Sequence, residues 1–414
     1  MKNAALPLQP DTMVGSQSQP VGSTPHITIR AFCETATVVA SARRAGNDRR
    51  LSRAITDVSE GGIAAAVAYC TVNPTPDVLI LESGAARAEL LAALAELAPV
   101  CDGKTKVIIV GLSNDIALYR ELIASGIAEY LLAPVDALTI ISAVLRLYPD
   151  ENVTRIGKIH AVIGVKGGVG SSVLAQNLAW TVSQSSFATL LADLDLQFGT
   201  AALNFNIDCH TGFADQLPKD VRLDGALLER LLFKHGPHLS VLLGATAAHV
   251  STDPDLGVIE KMLDLARSMF PHVVLDLPNA WTPLVRNALL AADDIVLVAE
   301  PDLANLRNAR SVLDFLKQVR PNDAPPRLVL NRIGVPKRKE IKPSAFAAAL
   351  QIGLSAKIGF DPALFSEAAA NGQVFAEVSS KAAVSPILAH LAEELTGRHQ
   401  HHQRSGIGRF WGRS

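Results

Sequence analysis

The run Gly164-Val165-Lys166-Gly167-Gly168-Val169-Gly170-Ser171-Ser172 has the makings of a phosphate-binding loop. Its glycines let the backbone approach a ligand closely and take positive φ. Successive backbone N–H groups in such a turn form a concave nest for phosphate oxygens. A buried-strand pattern over 158–165 precedes the loop and a helical pattern over 171–185 follows it. The helix N-terminus would therefore add its partial positive charge. The common GxxxxGK[ST] pattern would put lysine where Ser171 stands, whereas Lys166 lies five residues earlier. Ser172 occupies the place of the hydroxyl that ligates Mg2+ in such loops. Lys166, Gly167, Gly168, Val169, Gly170, Ser171 and Ser172 are thus the expected nucleotide contacts.

Three later stretches carry matching chemistry. Asp193 and Asp195 follow the apolar run Thr189–Ala192, at the end of a strand where open sheets bind ligands. Two carboxylates at that spacing could serve Mg2+ and an attacking water, or simply cap a turn. Asp276 ends the run FPHVVLD, as an acid that holds a metal through its water shell would. Asn331-Arg332 ends RLVLNR, at a position suited to an adenine edge. Each stretch is weak alone, but their order on successive strands is specific.

Strands must alternate with helices to place these residues. Over residues 26–148 apolar strand patterns fall at 26–32, 77–82, 106–110 and 129–132, with helical patterns at 85–98, 116–125 and 135–147. Arg50–Tyr69 reads as one helical segment interrupted by Gly61-Gly62. A second series over 158–397 has strands at 158–165, 189–193, 239–243, 273–276, 295–298, 327–331 and 356–359. The expected fold is α/β, with two doubly wound parallel-sheet domains. Residues 1–25 read as a disordered tail, 149–157 as a linker and 398–414 as a polar tail.

The bulk composition narrows the function. A formal net charge of −2 argues against general affinity for nucleic acid. The four cysteines show no metal-ligand spacing, which fits reduced thiols in a cytoplasmic protein. No signal-peptide core and no run of about 18 uncharged apolar residues is visible. Arg404, Arg409 and Arg413 flank Phe410 and Trp411, a pattern that permits peripheral membrane contact but lacks the apolar face of a stable interfacial helix. His399, His401 and His402, and the run Lys337-Arg338-Lys339, read as solvated; Trp180 and Trp281 read as packing residues.

The motifs KGGVGSS (166–172), DLDLQFG (193–199), DLPNAW (276–281), EPDLANLRNAR (300–310) and LVLNR (328–332) together resemble the deviant Walker A ATPases of the MinD/ParA group. Within it the chain is most similar to the CpaE/TadZ proteins of tight-adherence (Flp) pilus assembly. The resemblance implies ATP and Mg2+ as cofactors and an ATP-sandwich homodimer. In that dimer Lys166 reaches the partner's phosphates, Asp195 orients water, and Asp193, Asp276 and Ser172 serve the metal. With Ser171 in place of the in-cis lysine, it implies ATP binding with weak or absent hydrolysis. It further implies pilus assembly and secretion proteins as partners, and a polar landmark protein. The expected location is a cell pole or the cytoplasmic face of the inner membrane. Chromosome or plasmid partitioning, or septum-site placement, is the alternative function. Residues 26–148 resemble a response-regulator receiver without its chemistry, since Glu82 stands for the phosphoacceptor aspartate, Glu34 for the acidic pair and Ala133 for the lysine.

Overall fold

The computed structural model describes residues 26–148, 157–209, 212–213, 223–244, 256–379 and 381–397. The 1–25 and 398–414 tails, and all of the 149–157 segment but Gly157, lie outside these residues. Two parallel-rich sheets organise the chain. The first contains β1 (Ile27–Cys33), β2 (Ala54–Glu60), β3 (Val78–Ser83), β4 (Lys106–Gly111) and β5 (Glu129–Leu132), all parallel in the order β2-β1-β3-β4-β5. Helices α1 (Ala36–Gly46), α2 (Gly62–Val72), α3 (Arg87–Leu97), α4 (Ile116–Ala124) and α5 (Ala137–Leu147) cover its faces. Strand β3 is buried along its whole length because helices shield both its faces.

Arg50–Tyr69 is not one helix. It holds a 3-10 turn at Arg49–Leu51, strand β2, and only then α2. β2 is an edge strand of partly exposed residues, and Ile55 is exposed. Its run AITDVSE therefore lacks the continuous apolar signal of the inner strands. Helix α1 falls outside the helical patterns of the sequence; Thr35 caps it by accepting from Val38 N, and Val38, Val39, Ala42 and Ala45 form its buried stripe.

The second sheet has β6 (Lys158–Gly164), β7 (Thr189–Asp193), β8 (Leu232–His235), β9 (Leu239–Leu242), β10 (His272–Leu277), β11 (Asp294–Ala299), β12 (Arg327–Ile333) and β13 (Leu354–Gly359). Its order is β13-β12-β11-β6-β10-β7-β9-β8, and only β8 runs antiparallel. β8 lies outside the apolar strand patterns of the sequence; its four residues, none of them buried, close the edge beside β9. Apolar layers pack on both faces, one including Ile163, Leu275 and Leu297, the other Val162, Val274 and Val329. Helix α6 (Ser171–Gln184) packs against β6, β7 and β10. This places the glycine loop at the carboxyl end of β6, where the strand order reverses.

The two halves meet through charge. Arg49 Nε lies 2.9 Å from Asp323 Oδ2 and Arg50 also pairs with Asp323. Asn322 Nδ2 donates to Asp48 at 3.0 Å, and Arg53 pairs with Asp264. Among the described residues no helix is long and apolar enough to cross a membrane.

Candidate phosphate-binding site

The loop owes its shape to its glycines. Gly168 and Gly170 have φ of 81° and 85°, and Gly170 forms the N-cap of α6 without a side chain. A Cβ on Gly170 would stand 2.7 Å from Asn331 Nδ2. Three asparagines on other elements hold the loop and the strand leading into it. Asn279 Nδ2 donates to Gly164 O at 2.6 Å, Asn308 Nδ2 to Val165 O at 2.9 Å and Asn331 Nδ2 to Val169 O at 2.8 Å. Asn279 and Asn308 had no assigned role in the sequence reading, although both lie within motifs quoted there. Lys166 is half exposed, and its Nζ lies 4.0 Å from Asp302 Oδ2.

The acids converge on the loop from the neighbouring strands. Asp193 and Asp276 are register partners on β7 and β10 and are almost fully buried. Burial pushes the Asp193 carboxyl up to about 6, although backbone N–H groups of Ala201 and Asp195 donate to it. Burial, reinforced by the charge of Asp193, raises Asp276 well above the usual carboxylate range, while hydrogen bonds from Ser172 and Gln176 act against the rise. Asp276 Oδ1 is buried without a hydrogen-bond partner. An orphaned carboxylate oxygen beside a second acid and the Ser172 hydroxyl fits a divalent cation, which would favour both ionised forms. Among the described residues no cluster of three or more His, Cys, Asp or Glu could hold a metal. Water and phosphate oxygens would complete the shell of such an ion.

Asp195 is partly exposed, and its Oδ1 accepts from Gln197 N at 3.3 Å and Phe198 N at 2.9 Å. In this conformation it caps the turn after β7. Asn331, expected at an adenine edge, is fully buried; its amide grips the loop and its Oδ1 accepts from Arg332 N. Arg332 Nη1 donates to Gly168 O at 3.2 Å and to Glu300 Oε1 at 3.1 Å. Arg338 is not simply solvated, because it pairs with both Glu300 and Glu340. Trp281 meets Phe315 edge-on, 5.0 Å between ring centroids, but is 41% exposed.

Comparisons with known proteins complete this description. A family model described as an AAA domain matches residues 157–326. The septum site-determining protein MinD of Bacillus subtilis (strain 168) is 25% identical over 186 residues, which cover 43% of this chain and 66% of that protein. The matched stretch is thus just under two thirds of that relative's length. The septum site-determining protein MinD of Pyrococcus horikoshii OT3, solved as a complex with Mg-ADP, superposes with a TM-score of 0.52 at 22% identity. That match covers 58% of this chain and 96% of the Pyrococcus one and shows a common fold. The pilus assembly protein CpaE of Caulobacter crescentus CB15 is 48% identical, covering 30% of this chain and 96% of that structure, with a TM-score of 0.30. That identity runs over nearly the whole of the Caulobacter chain, and the AAA-domain match covers residues 157–326 of this one. The chain belongs to the CpaE/TadZ-type proteins of the MinD/ParA ATPase family.

In this CpaE-type chain Glu82, the residue that the receiver resemblance sets against a phosphoacceptor aspartate, can also be located. Glu82 is buried at the end of β3, and its Oε2 accepts from Glu34 N at 2.7 Å and Thr35 N at 2.8 Å. Its Oε1 accepts from the Thr35 hydroxyl at 2.7 Å. Glu34 Oε2 in turn accepts from Gly84 N at 2.9 Å. The Glu82 carboxylate is spent on fastening the start of α1 to β3.

Proposed function

We propose that this chain is an ATP-binding switch protein of Flp (tight-adherence) pilus assembly. Residues 26–148 serve as a pseudo-receiver docking domain and residues 158–397 as the nucleotide domain. The backbone of 166–172 holds the phosphates; Ser172, Asp193 and Asp276 hold Mg2+; Asp195 faces the attacking water once its turn rearranges. Lys166 acts across an ATP-dependent homodimer, and hydrolysis is weak or absent because Ser171 places no cation on the β and γ phosphates. The protein works in the cytoplasm, at a pole or on the inner-membrane face, with pilus secretion proteins and a polar landmark as partners.

The observation that carries this reading is the buried, unpartnered Asp276 Oδ1 beside Ser172 at the mouth of a glycine loop, in a chain of which 30% is 48% identical to a pilus assembly protein. The Pyrococcus protein's Mg-ADP complex supports nucleotide and Mg2+ as its ligands. The likeness to the Bacillus septum-site protein favours the second reading, a partitioning or septum-placement ATPase.

The deciding experiment measures ATP binding, ATP turnover and dimer mass for wild type, Ser171→Lys and Lys166→Ala. Wild type should bind ATP with little turnover, Ser171→Lys should turn over faster, and Lys166→Ala should stay monomeric with ATP. A wild-type chain with no affinity for adenine nucleotides would overturn the reading. Salt-dependent retention of DNA by the dimer would favour partitioning.

A further inference from the structure

The loop carries Ser171 where the common pattern has its lysine, and an arginine from another strand is built onto the same loop. Asn331 and Arg332 are adjacent at the end of β12, and they hold two adjacent loop carbonyls, Val169 O and Gly168 O. Arg332 does so from a left-handed backbone, φ 54°, which a side chain other than glycine seldom takes. Such strain collects at sites where the surrounding structure demands it. The Arg332 side chain remains 46% exposed, so its guanidinium reaches the open face of the loop.

The charge around Arg332 is arranged for movement. Its carboxylate partner, Glu300, is nearly buried and is paired with Arg338 as well. When Arg332 swings away, Arg338 still neutralises Glu300, so no buried carboxylate is stranded. Arg338 is itself seated by Glu340 and by the Arg332 carbonyl.

We propose that Arg332 supplies, in cis, the positive charge that Ser171 omits. Its guanidinium exchanges Gly168 O for the terminal phosphate oxygens of a bound nucleoside triphosphate, which its planar fork can hold by two parallel hydrogen bonds. Glu300 and Arg338 are the positioning residues for this exchange. The assignment rests on the nucleotide reading above and names the side chain that recognises the outer phosphates.

The test is equilibrium binding of ATP, ADP and AMP, each with Mg2+, to the full chain. Wild type, Arg332→Ala, Arg332→Lys and the double variant Arg332→Ala/Ser171→Lys are compared, and thermal melting confirms that each is folded. Arg332→Ala should weaken ATP about tenfold or more, the scale of one charged hydrogen bond, and leave AMP almost unchanged. Arg332→Lys should keep part of the ATP affinity, and Ser171→Lys should restore it to the alanine variant. A role confined to gripping Gly168 O would weaken all three nucleotides alike and would not be rescued by a lysine at 171; either result overturns the assignment. Should Arg332→Ala fail to fold, an Arg332→Lys chain with the wild-type ratio of ATP to AMP affinity, together with no gain on adding Ser171→Lys, would overturn it equally. A wild type that binds none of the three refutes the nucleotide reading itself, a different result from failed rescue.

Discussion

The Lys166 ammonium stands 4.0 Å from the carboxylate of Asp302. Asp302 is also the N-cap of the helix Leu303–Val319, accepting from Asn305 N at 2.8 Å. Burial of Asp302 acts the other way, but hydrogen bonds from Asn305 and the charge of Lys166 hold its carboxyl below the ordinary range. One acid thus tethers the loop lysine and starts the helix whose Asn308 grips Val165 O. Asp302→Ala should lower stability by about 1 kcal/mol, the usual cost of a lost cap. Lys166→Ala, on a half-exposed side chain, should change stability by less than about 0.5 kcal/mol. Melting curves of the two variants give the comparison; equal losses would mean that the pair, not the cap, is the stabilising element.

Asp276 sits at a cost to the fold. Its carboxyl is buried against Asp193 with one oxygen unpartnered. In metal-free buffer near pH 8, Asp276→Asn should raise stability by about 1 kcal/mol, because it removes a buried like-charge contact. The advantage should shrink toward pH 4. Burial raises both carboxyls above their unfolded values, so wild-type stability from this pair is present at acid pH and lost as pH rises through the folded values, about 6 for Asp193. Chemical denaturation at the two pH values reads this out, and a variant less stable than wild type at pH 8 would refute it.

His272 acts with the opposite sign. It is buried on β10, 3.0 Å from His160 Nε2 and edge-on to Phe187. Burial, aided by His160, lowers it to about 3. The unfolded chain binds this proton at a higher pH than the folded one. Stability from the neutral ring is therefore complete above about pH 6.5 and is lost as pH falls toward 3, at up to about 1.4 kcal/mol per pH unit. His272→Phe should flatten the acid limb of the stability curve between pH 6 and 4. An unchanged slope would show that other groups set that limb.

Asp323 holds the two halves together. Its side chain is nearly buried and accepts from Arg49 at 2.9 Å and from Arg320 at 2.6 Å, besides its pair with Arg50. The three guanidinium groups keep its carboxyl below the ordinary range despite its burial. Removing one member of a buried ion cluster strands the others, so Asp323→Ala should cost about 3 kcal/mol or more. Arg49→Ala/Arg50→Ala should split a single melting transition into two, because Arg320 still satisfies Asp323 within its own half. Calorimetry would show one peak if the charge contacts do not couple the halves.

Glu82 should accept no phosphoryl group. Its oxygens are occupied by Glu34 N, Thr35 N and the Thr35 hydroxyl. Incubation with a small phosphodonor should leave the chain unlabelled, and Glu82→Ala should cost about 1–3 kcal/mol by leaving those donors unpaired. A stable acyl phosphate on Glu82 would contradict both statements.

The inner strands could be read directly because each is buried on two faces: β3 and β7 fall where the apolar runs place them. β2 and β8 could not, since an edge strand needs no continuous apolar run and its pairing is set by a distant neighbour. The candidate site divides the same way. KGGVGSS and the acids at the ends of β7 and β10 are local consequences of loop chemistry after a strand, so spacing alone exposes them.

The sequence by itself determined the α/β alternation, the position of the loop and the absence of a lysine at 171, since composition and period act over a few residues. Only the tertiary structure decided that Asn331 and Arg332 face the loop's carbonyls, that Asp276 keeps an unpartnered oxygen beside Asp193, and that Asp323 collects arginines from both halves. Those contacts join residues far apart in the chain, and their partners are fixed by strand order and burial, which no local pattern records.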